Sequence, residues 1–297
     1  MTVIIVGGDS TIGSAFARTL RQRGEVVVTT SRRLNDGVGS LPLDLGDSDV
    51  AAIPLPDGEV AFFCACVNGF SGCRSNPGYA RRVNVDGTAM LARRLASRGT
   101  RVVLLSSTAV LDFRAPDQPS TAPANPRTLY GQLKAEAEEI FLSLGRFGSV
   151  LRLTKVLTAE MPLFAGWISA LGRGEAVTAF SDLHFSPITL DDAMSALFGV
   201  RDDSSGGIYQ FSGAYDISYA DAAGHLAGRM GIGAARVNSE LAAHHGIRAE
   251  EIPRFTSLDS SRLQAITGRA PPDPFAVLDT VYGPVIAVAG ERLRSFG

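Results

Sequence analysis

The sequence predicts an α/β protein whose doubly wound parallel sheet carries helices on both faces. Short β-branched runs alternate with segments of helical periodicity along the first half of the chain, and this alternation is typical of a parallel sheet with crossover helices. A glycine-rich turn at residues 7–13 stands between the first run and the first helix. With 297 residues, the chain is long enough for one such domain and a smaller second lobe.

The individual strands and helices can be placed from their periodicity. Strands are predicted at residues 3–6, 25–30, 60–67, 101–106, 149–153 and 207–212. Helices are predicted at residues 11–23, 86–98, 129–144, 162–172, 191–200 and 219–230. Gly24 and Gly99 follow the first two helices, and a glycine commonly ends a helix at that position. We expect residues 1–155 to form the main domain and residues 156–297 to form mainly the smaller lobe, with segments near 185–212 returning to the sheet.

The charge balance argues against nucleic acid and membrane partners. The formal net charge is −2, so the chain has neither a basic field nor a polybasic surface. No apolar run approaches the ~20 residues that span a bilayer. The chain opens directly on a predicted strand without a charged-then-apolar leader. We therefore expect a cytoplasmic protein.

The three cysteines and four histidines do not predict a metal site. Cys64 and Cys66 fall on the predicted strand 60–67, where residues i and i+2 face the same side. A zinc site would need further Cys or His ligands at suitable spacing, and the sequence has no such cluster. We expect reduced thiols, which are commonly buried, and no bound metal.

The glycine-rich turn is suited to bind a dinucleotide. Its sequence is Val6-Gly7-Gly8-Asp9-Ser10-Thr11-Ile12-Gly13. Glycines in such a turn let a pyrophosphate approach backbone N–H groups, and the N-terminus of the following helix adds donors and a positive dipole end. The alternative is a turn that requires glycine for its backbone angles and binds no ligand.

The end of the second strand indicates which dinucleotide is preferred. An NAD-binding unit usually places Asp or Glu there for the ribose 2′-hydroxyl, whereas this chain has Ser31, Arg32 and Arg33. A guanidinium suits the 2′-phosphate of NADP, although a solvated loop with two surface arginines is the alternative. Asp44 follows the next short strand, where it is suited to accept a hydrogen bond from the adenine amino group or simply starts a turn.

Tyr130 and Lys134 form the pattern that is most informative about catalysis. They open the predicted helix 129–144 at i and i+4, so they share one helical face. A nearby ammonium favours the phenolate and lowers the phenol pKa from ~10 toward the working range, so the phenol can deliver a proton to a carbonyl oxygen. Ser107 ends a strand at the sheet edge where ligands bind, and its hydroxyl could bind the same oxygen. A chance pair on an amphipathic helix is the alternative.

Together these features resemble the extended short-chain dehydrogenase/reductases, and within them the dTDP-4-dehydrorhamnose reductase branch of sugar-nucleotide reductases. The resemblance covers essentially the whole chain. Three further segments carry it, namely Val83-Asn84-Val85-Asp86-Gly87-Thr88, Leu151-Arg152-Leu153-Thr154 and Leu258-Asp259-Ser260-Ser261-Arg262. The resemblance implies a Rossmann fold with a smaller C-terminal substrate-binding lobe. It also implies NADP(H) as the cofactor, with NAD(H) less favoured.

The resemblance assigns roles to individual residues. Tyr130 matches the family's catalytic acid, and Ser107 matches its catalytic Ser/Thr. Lys134 matches the residue that holds the nicotinamide ribose and lowers the tyrosine pKa. The full set of expected cofactor contacts is Gly7, Ser10, Thr11, Ile12, Gly13, Ser31, Arg32, Asp44, Leu45, Cys64, Ala65, Tyr130 and Lys134.

Four departures from the family pattern bear on the expected reaction. Ser10 replaces the middle glycine, which requires a negative φ at that position. Residues 111–112 are Leu-Asp rather than Tyr-Gly, so a substrate-side aromatic is missing. Residues 108–109 are Thr-Ala where sugar-nucleotide 4,6-dehydratases have Asp-Glu, and residues 185–192 lack the arginine that many epimerases place there. These departures favour keto-reduction over dehydration and epimerisation.

We therefore expect an NADPH-dependent oxidoreductase that reduces a nucleotide-linked keto sugar, at C4 of a 6-deoxy-4-keto hexose. An epimerase with tightly held NAD and a non-catalytic NADP-binding regulatory subunit remain as alternatives, and homodimerisation is left open. Lys155 and Arg173 are candidate contacts for the substrate diphosphate. Phe164 and Trp167 could line the substrate cleft, but packing in the core of the small lobe is the expectation. The Pro-, Ser- and Asp-rich stretch 112–127 is a predicted loop, long enough to form a lid or rim.

Overall fold

Seven parallel strands form the main sheet of the computed structural model, which describes residues 2–33, 40–47 and 49–294. The described strands are, in chain order, β1 (Thr2–Val6), β2 (Val26–Ser31), β3 (Leu41–Pro42), β4 (Val60–Phe63), β5 (Arg101–Ser107), β6 (Gly148–Leu153), β7 (Val156–Leu157), β8 (Val177–Phe180), β9 (His184–Phe185), β10 (Ile188–Thr189), β11 (Gly207–Phe211), β12 (Ile217–Ser218) and β13 (Val237–Glu240). The described α-helices are α1 (Thr11–Gln22), α2 (Phe70–Ser75), α3 (Pro77–Arg81), α4 (Thr88–Ser97), α5 (Leu129–Ser143), α6 (Pro162–Gly172), α7 (Leu190–Asp202), α8 (Tyr219–Arg229), α9 (Ser261–Thr267) and α10 (Pro274–Arg294).

The strand order of the main sheet is β3-β2-β1-β4-β5-β6-β11, which confirms the predicted doubly wound α/β fold. The order reverses at β1, and Val6 pairs with Thr30 of β2 on one side and with Phe63 of β4 on the other. Ligands of doubly wound sheets bind at such a reversal, outside the carboxyl ends of the strands. The topology therefore brings the glycine-rich turn and the ends of β2, β4 and β5 to one edge.

Each face of the sheet is covered by helices with an apolar stripe. On one face, Phe16 and Leu20 of α1 and Leu197 of α7 pack against Ile5 and other strand residues. On the other face, α4 and α5 cover a second cluster of buried aliphatic and aromatic side chains. Strands buried on both faces carry nearly continuous apolar runs, which explains the pattern read from the sequence.

The fourth strand is shorter than the sequence predicted. It ends at Phe63, because the N–H groups of Cys64 and Ala65 both donate to the carbonyl of Val6, at 2.8 and 2.9 Å. The chain after Phe63 therefore follows β1, and residues 64–67 do not pair with β5. The expectation that Cys64 and Cys66 share one strand face was therefore wrong.

The helix predicted at residues 86–98 begins earlier than expected. A π-helical segment, Arg82–Gly87, precedes α4, and α3 precedes that segment directly. The side chain of Asn84 accepts a hydrogen bond from Val67 N at 2.7 Å and donates one to Val67 O at 3.0 Å. A Cβ on Gly87 would clash with the carbonyl of Leu45. Asn84 and Gly87 thus hold the π-helical segment against the loops that follow β3 and β4.

A further hydrophobic core is formed largely by α6, α8 and α10. Phe164 and Trp167 lie in this core with 0% and 6% of their surface exposed, so the prediction that they pack in the core is confirmed. Phe164 stacks on Tyr282 at a ring-centroid distance of 5.2 Å. Strand β11 lies beside β6 in the main sheet. The division at residue 155 stays a prediction, and residues 295–297 lie outside the described part.

Across the described ranges, no helix has both the length and the apolar character needed to cross a bilayer.

Candidate active site

The glycine-rich turn has the backbone conformation that the sequence required. Gly7 has a φ of +89°, and a Cβ at this position would lie 2.6 Å from Ala65 N. Ser10 has φ −74° and ψ 156°, so the replacement of the middle glycine is tolerated as predicted. Its hydroxyl accepts from Gly13 N at 3.1 Å and donates to Gly7 O at 2.8 Å.

This turn fits the pyrophosphate of a dinucleotide. Thr11 and Ile12 stand in the first turn of α1, where backbone N–H groups have no intrahelical acceptor. No acidic residue stands in that first turn to compete with an anion. The helix dipole adds positive character at the same end. Ala65 approaches the turn closely from the end of β4, so the predicted contacts Cys64 and Ala65 lie beside it.

The expected adenosine contacts meet around a residue that sequence reasoning missed. Arg32 Nη1 donates to the hydroxyl of Tyr79 at 2.6 Å, and this hydroxyl lies 3.2 Å from both carboxylate oxygens of Asp44. Leu45, which follows Asp44, is buried. The side chain of Ser31 accepts a hydrogen bond from the backbone N–H of Arg33. Tyr79 stands on α3, far from both partners in sequence, and no local motif marks it.

The start of α5 brings Tyr130 and Ser107 together. Thr128 caps the helix, its Oγ1 accepting from Gly131 N at 3.2 Å. A Cβ on Gly131 would clash with the carbonyl of Ala109, so the first turn of α5 packs closely on the turn that follows β5. In this arrangement the Ser107 hydroxyl is close enough to the Tyr130 phenol to lower its pKa. The spacing Tyr-Gly-x-x-Lys therefore needs its glycine for packing.

The pKa of Tyr130 is shifted in the direction opposite to the one expected. Burial raises it, the neighbouring Cys66 thiol raises it further, and the hydrogen bond from Ser107 lowers it. The tyrosine is only 8% exposed. Lys134, which was expected to lower this pKa, instead directs Nζ toward the carbonyl of Leu105, at 2.8 Å. The phenol is therefore protonated at neutral pH, as a proton donor must be.

Lys134 and two neighbouring hydroxyls have hydrogen-bonding capacity that the described contacts leave open. An ammonium has three N–H donors, and the described hydrogen bonds of Lys134 use one. Ser106 Oγ and Thr154 Oγ1 are buried at the ends of β5 and β6 without a partner among the described residues. Buried hydroxyls are normally hydrogen-bonded. This edge of the sheet thus fits a polar group such as the nicotinamide ribose or its carboxamide.

An apolar cluster surrounds Tyr130. Phe113 is 4% exposed and belongs to this cluster, although its φ of +63° is rarely adopted by a bulky residue. Phe70 approaches the Tyr130 ring edge-on at 6.2 Å, and Cys73 is fully buried beside them. Phe113 thus packs in the same cluster as Tyr130, two residues after the position where the family's substrate-side aromatic is missing. Unusual backbone angles of this kind cluster at functional sites.

The long loop 112–127 is held down by the C-terminal part of the chain. The backbone N–H of Asp117 donates to Ser257 Oγ at 3.0 Å, and Gln118 forms a parallel bridge with Leu258. The N–H of Phe255 donates to the carbonyl of Phe113 at 3.3 Å. This anchorage places the loop as a fixed rim beside Tyr130.

A buried ion pair ties α5 to the sheet. Arg152 of β6 binds both carboxylate oxygens of Glu138 on α5, with its shortest contact at 2.6 Å, and both side chains are 3% exposed. The remaining guanidinium nitrogen donates to Gln210 Oε1 at 3.1 Å. Gln210 in turn donates to the carbonyls of Gln118 and Asp259. This network accounts for Arg152 in one of the segments that carried the resemblance.

The remaining candidate residues lie as follows. Lys155 Nζ lies 5.8 Å from the ring centroid of Tyr219. Arg173 is exposed and binds Glu175 at 2.7 Å. Burial raises the pKa of the Cys64 thiol to about 12, so this thiol stays protonated. Within the described part of the chain, no cluster of His, Cys, Asp and Glu is arranged to hold a metal ion.

The chain was compared with protein-family models and with curated proteins. A family model described as the RmlD substrate binding domain matches residues 1–280. A probable low-salt glycan biosynthesis reductase of Haloferax volcanii is 24% identical over 95% of this chain and 98% of its own length. The methionine adenosyltransferase 2 subunit beta of Bos taurus is 26% identical over 62% of this chain and 53% of its own length.

Solved structures share the fold at low sequence identity. A dTDP-4-dehydrorhamnose reductase from Clostridium acetobutylicum superposes with a TM-score of 0.81 at 20% identity, covering 96% of this chain and 99% of its own. The NADP complex of a dTDP-4-dehydrorhamnose reductase from Bacillus anthracis superposes with a TM-score of 0.80 at 17% identity, covering 95% and 99%. These similarities establish the Rossmann-type fold.

Proposed function

The chain belongs to the RmlD substrate-binding domain family of the extended short-chain dehydrogenase/reductases, and on that premise we propose that it is an NADPH-dependent reductase of a nucleotide-linked keto sugar. One observation carries the proposal: the Tyr130 phenol lies close enough to Ser107, at the carboxyl end of β5, for that hydroxyl to lower its pKa, and Tyr130 stands on the helix that also carries Lys134. The reductases among its relatives support the same class of activity.

Tyr130 is the proposed acid. Its burial keeps the phenol protonated, so it has a proton to give to the carbonyl oxygen of the substrate as that oxygen becomes an alcohol. Ser107 is half-buried beside it and can donate a hydrogen bond to the same oxygen. When bound, NADPH supplies the hydride. The protein contributes position and electrostatics, which require Tyr130 and Ser107 to stay in register through the packing of Gly131.

Arg32 supports NADP(H) as the preferred cofactor. It stands at the end of β2, where an NAD-binding domain usually has a carboxylate. The guanidinium is exposed and uses one N–H donor on Tyr79, so other donors remain for a phosphate. The NADP complex of the Bacillus anthracis relative supports the same assignment.

The reductases to which the chain is similar support the substrate class. Two of them are dTDP-4-dehydrorhamnose reductases, from Mycobacterium tuberculosis and Streptomyces griseus. The sugar in that name is a 6-deoxy hexose with a keto group at C4. We propose a 6-deoxy-4-keto hexose linked to a nucleotide diphosphate, bound between the carboxyl edge of the sheet and the smaller lobe.

A non-catalytic NADP-binding subunit is the second candidate, favoured by the similarity to the methionine adenosyltransferase beta subunit. The two candidates differ in turnover. We expect the purified protein to consume NADPH when it is offered nucleotide-linked 4-keto-6-deoxy sugars, measured by NADPH absorbance and by the alcohol formed. Tyr130→Phe, which can still bind cofactor, is the matched control. Absence of turnover on every such sugar, with NADPH binding intact, would favour the regulatory role.

A further inference from the structure

Tyr79 joins two expected cofactor contacts through one hydroxyl group. Arg32 Nη1 donates to this hydroxyl at 2.6 Å, and the hydroxyl in turn faces both Asp44 oxygens at 3.2 Å, to which it donates. A phenol has one proton and accepts through its oxygen lone pairs, so it can serve both partners at once. Among the described contacts, Arg32 reaches Asp44 through this phenol and not by a direct ion pair.

The position of Tyr79 is fixed on several sides. The side chain of Asn76 accepts from Tyr79 N at 3.1 Å and so caps the short helix α3. Asp44 is held in turn, because its Oδ1 accepts from Gly46 N at 2.7 Å. Residue 46 is a glycine, and its lack of a side chain lets the Tyr79 ring pack closely, since a Cβ there would lie 2.6 Å from Tyr79 Cε2. These contacts hold the Tyr79 phenol beside Asp44.

The charges around Tyr79 favour an anion. The guanidinium carbons of Arg32 and Arg82 lie 5.9 and 5.7 Å from its ring centroid, within reach of cation–π attraction. The bond to Tyr79 is also the leading cause that raises the pKa of Arg32. Arg32 is exposed, so without the hydroxyl its long side chain would sample many rotamers or pair directly with Asp44. Either change would withdraw it from a phosphate.

We propose that Tyr79 determines cofactor specificity by holding Arg32 where the 2′-phosphate of NADP binds and by keeping Asp44 engaged away from that phosphate. Tyr79 is a positioning residue for this phosphate and acts through Arg32. The inference rests on the proposed preference for NADP(H). It predicts that loss of one hydroxyl weakens recognition of the 2′-phosphate specifically.

The test measures binding of two fragments by isothermal titration calorimetry, with no need for turnover. 2′,5′-ADP carries the 2′-phosphate, and 5′-ADP lacks it. In Tyr79→Phe, we expect the dissociation constant of 2′,5′-ADP to rise about three- to tenfold, as for an anchor side chain that must be ordered on binding. That of 5′-ADP should change by less than about twofold. Tyr215→Phe is the matched control, because it removes another tyrosine–aspartate hydrogen bond, of 2.6 Å to Asp273, in the C-terminal half of the chain.

A double-variant cycle distinguishes positioning from a general structural role. If Tyr79 acts through Arg32, Tyr79→Phe should add little to the loss already caused by Arg32→Ala. Independent, additive losses would overturn the inference. A second outcome would also overturn the inference: the wild type prefers 2′,5′-ADP, Arg32→Ala loses this preference, and Tyr79→Phe keeps it. That outcome would leave the proposed function unaffected. Equal affinity of the wild type for both fragments would overturn the proposed NADP preference, and the role of Tyr79 with it.

Discussion

Removal of Arg152 should destabilise the protein strongly, because it leaves a carboxylate buried without its partner. Arg152 and Glu138 are each 3% exposed, and the guanidinium makes three contacts with the carboxylate, at 3.0, 3.1 and 2.6 Å. Loss of one member of a buried pair typically costs about 3–5 kcal/mol, because the remaining charge keeps its desolvation penalty. For Arg152→Met we therefore expect the free energy of unfolding to fall by about 3–5 kcal/mol and the Tm to fall by roughly 6–15 °C.

Urea unfolding followed by circular dichroism measures this loss. Arg173→Met is the matched control, since it breaks an exposed arginine–glutamate pair that should contribute little to stability. The double variant Arg152→Met/Glu138→Leu should recover much of the stability, because it removes both charges. A single variant Arg152→Met that loses less than about 1 kcal/mol would refute the reasoning, as would a double variant no more stable than the single one.

The remaining predictions concern the site. Tyr130→Phe should lower kcat by about 10²–10⁴-fold, the usual contribution of a general acid, with NADPH affinity unchanged; near-wild-type kcat under rate-limiting chemistry would exclude Tyr130 as the acid. Because burial raises the Tyr130 pKa above its ordinary ~10, this phenol should keep its proton as pH rises. In the cofactor-free protein, tyrosinate absorbance should therefore be the same for the wild type and Tyr130→Phe up to about pH 10. If the wild type ionised one more tyrosine than the variant below that pH, the burial argument would be wrong. Arg32→Ala should weaken NADPH about ten- to a hundredfold and NADH little, in fluorescence titrations; equal losses would make the arginine a mere surface charge. Gly131→Ala should displace the first turn of α5 from Ala109 and lower kcat by on the order of 10²-fold, whereas an unchanged kcat would show that the turn tolerates a side chain.

Several features of the fold were predictable because they depend on local sequence. The alternation of apolar runs and helical periodicity predicted the sheet and the helices on both faces, and Pro162–Gly172 forms a helix with the predicted bounds. Ser10 in a glycine position required a negative φ, which the structure has at −74°. The i, i+4 spacing predicted Tyr130 and Lys134 on one helix, and both stand in α5.

Other features of the candidate site were not predictable because they arise between distant segments. The strand over residues 60–67 was overextended in the prediction, since nothing local reveals that Val6 accepts from both Cys64 and Ala65. Phe113 joins the cluster around Tyr130 through a backbone conformation unusual for its type, which no local pattern indicates.

The sequence by itself determined the fold class, the glycine turn, the cationic end of β2 and the Tyr130–Lys134 pair. These features depend on backbone angles, periodicity and residue types within short segments of the chain. The tertiary structure alone decided the environment of those groups. Tyr79 meets Arg32 from 47 residues away and Asp44 from 35 residues away. The Tyr130 pKa rises because buried apolar neighbours desolvate the phenol while Lys134 turns toward Leu105. Desolvation and the pairing of charges depend on which segments pack together, and that packing exists only in the folded chain.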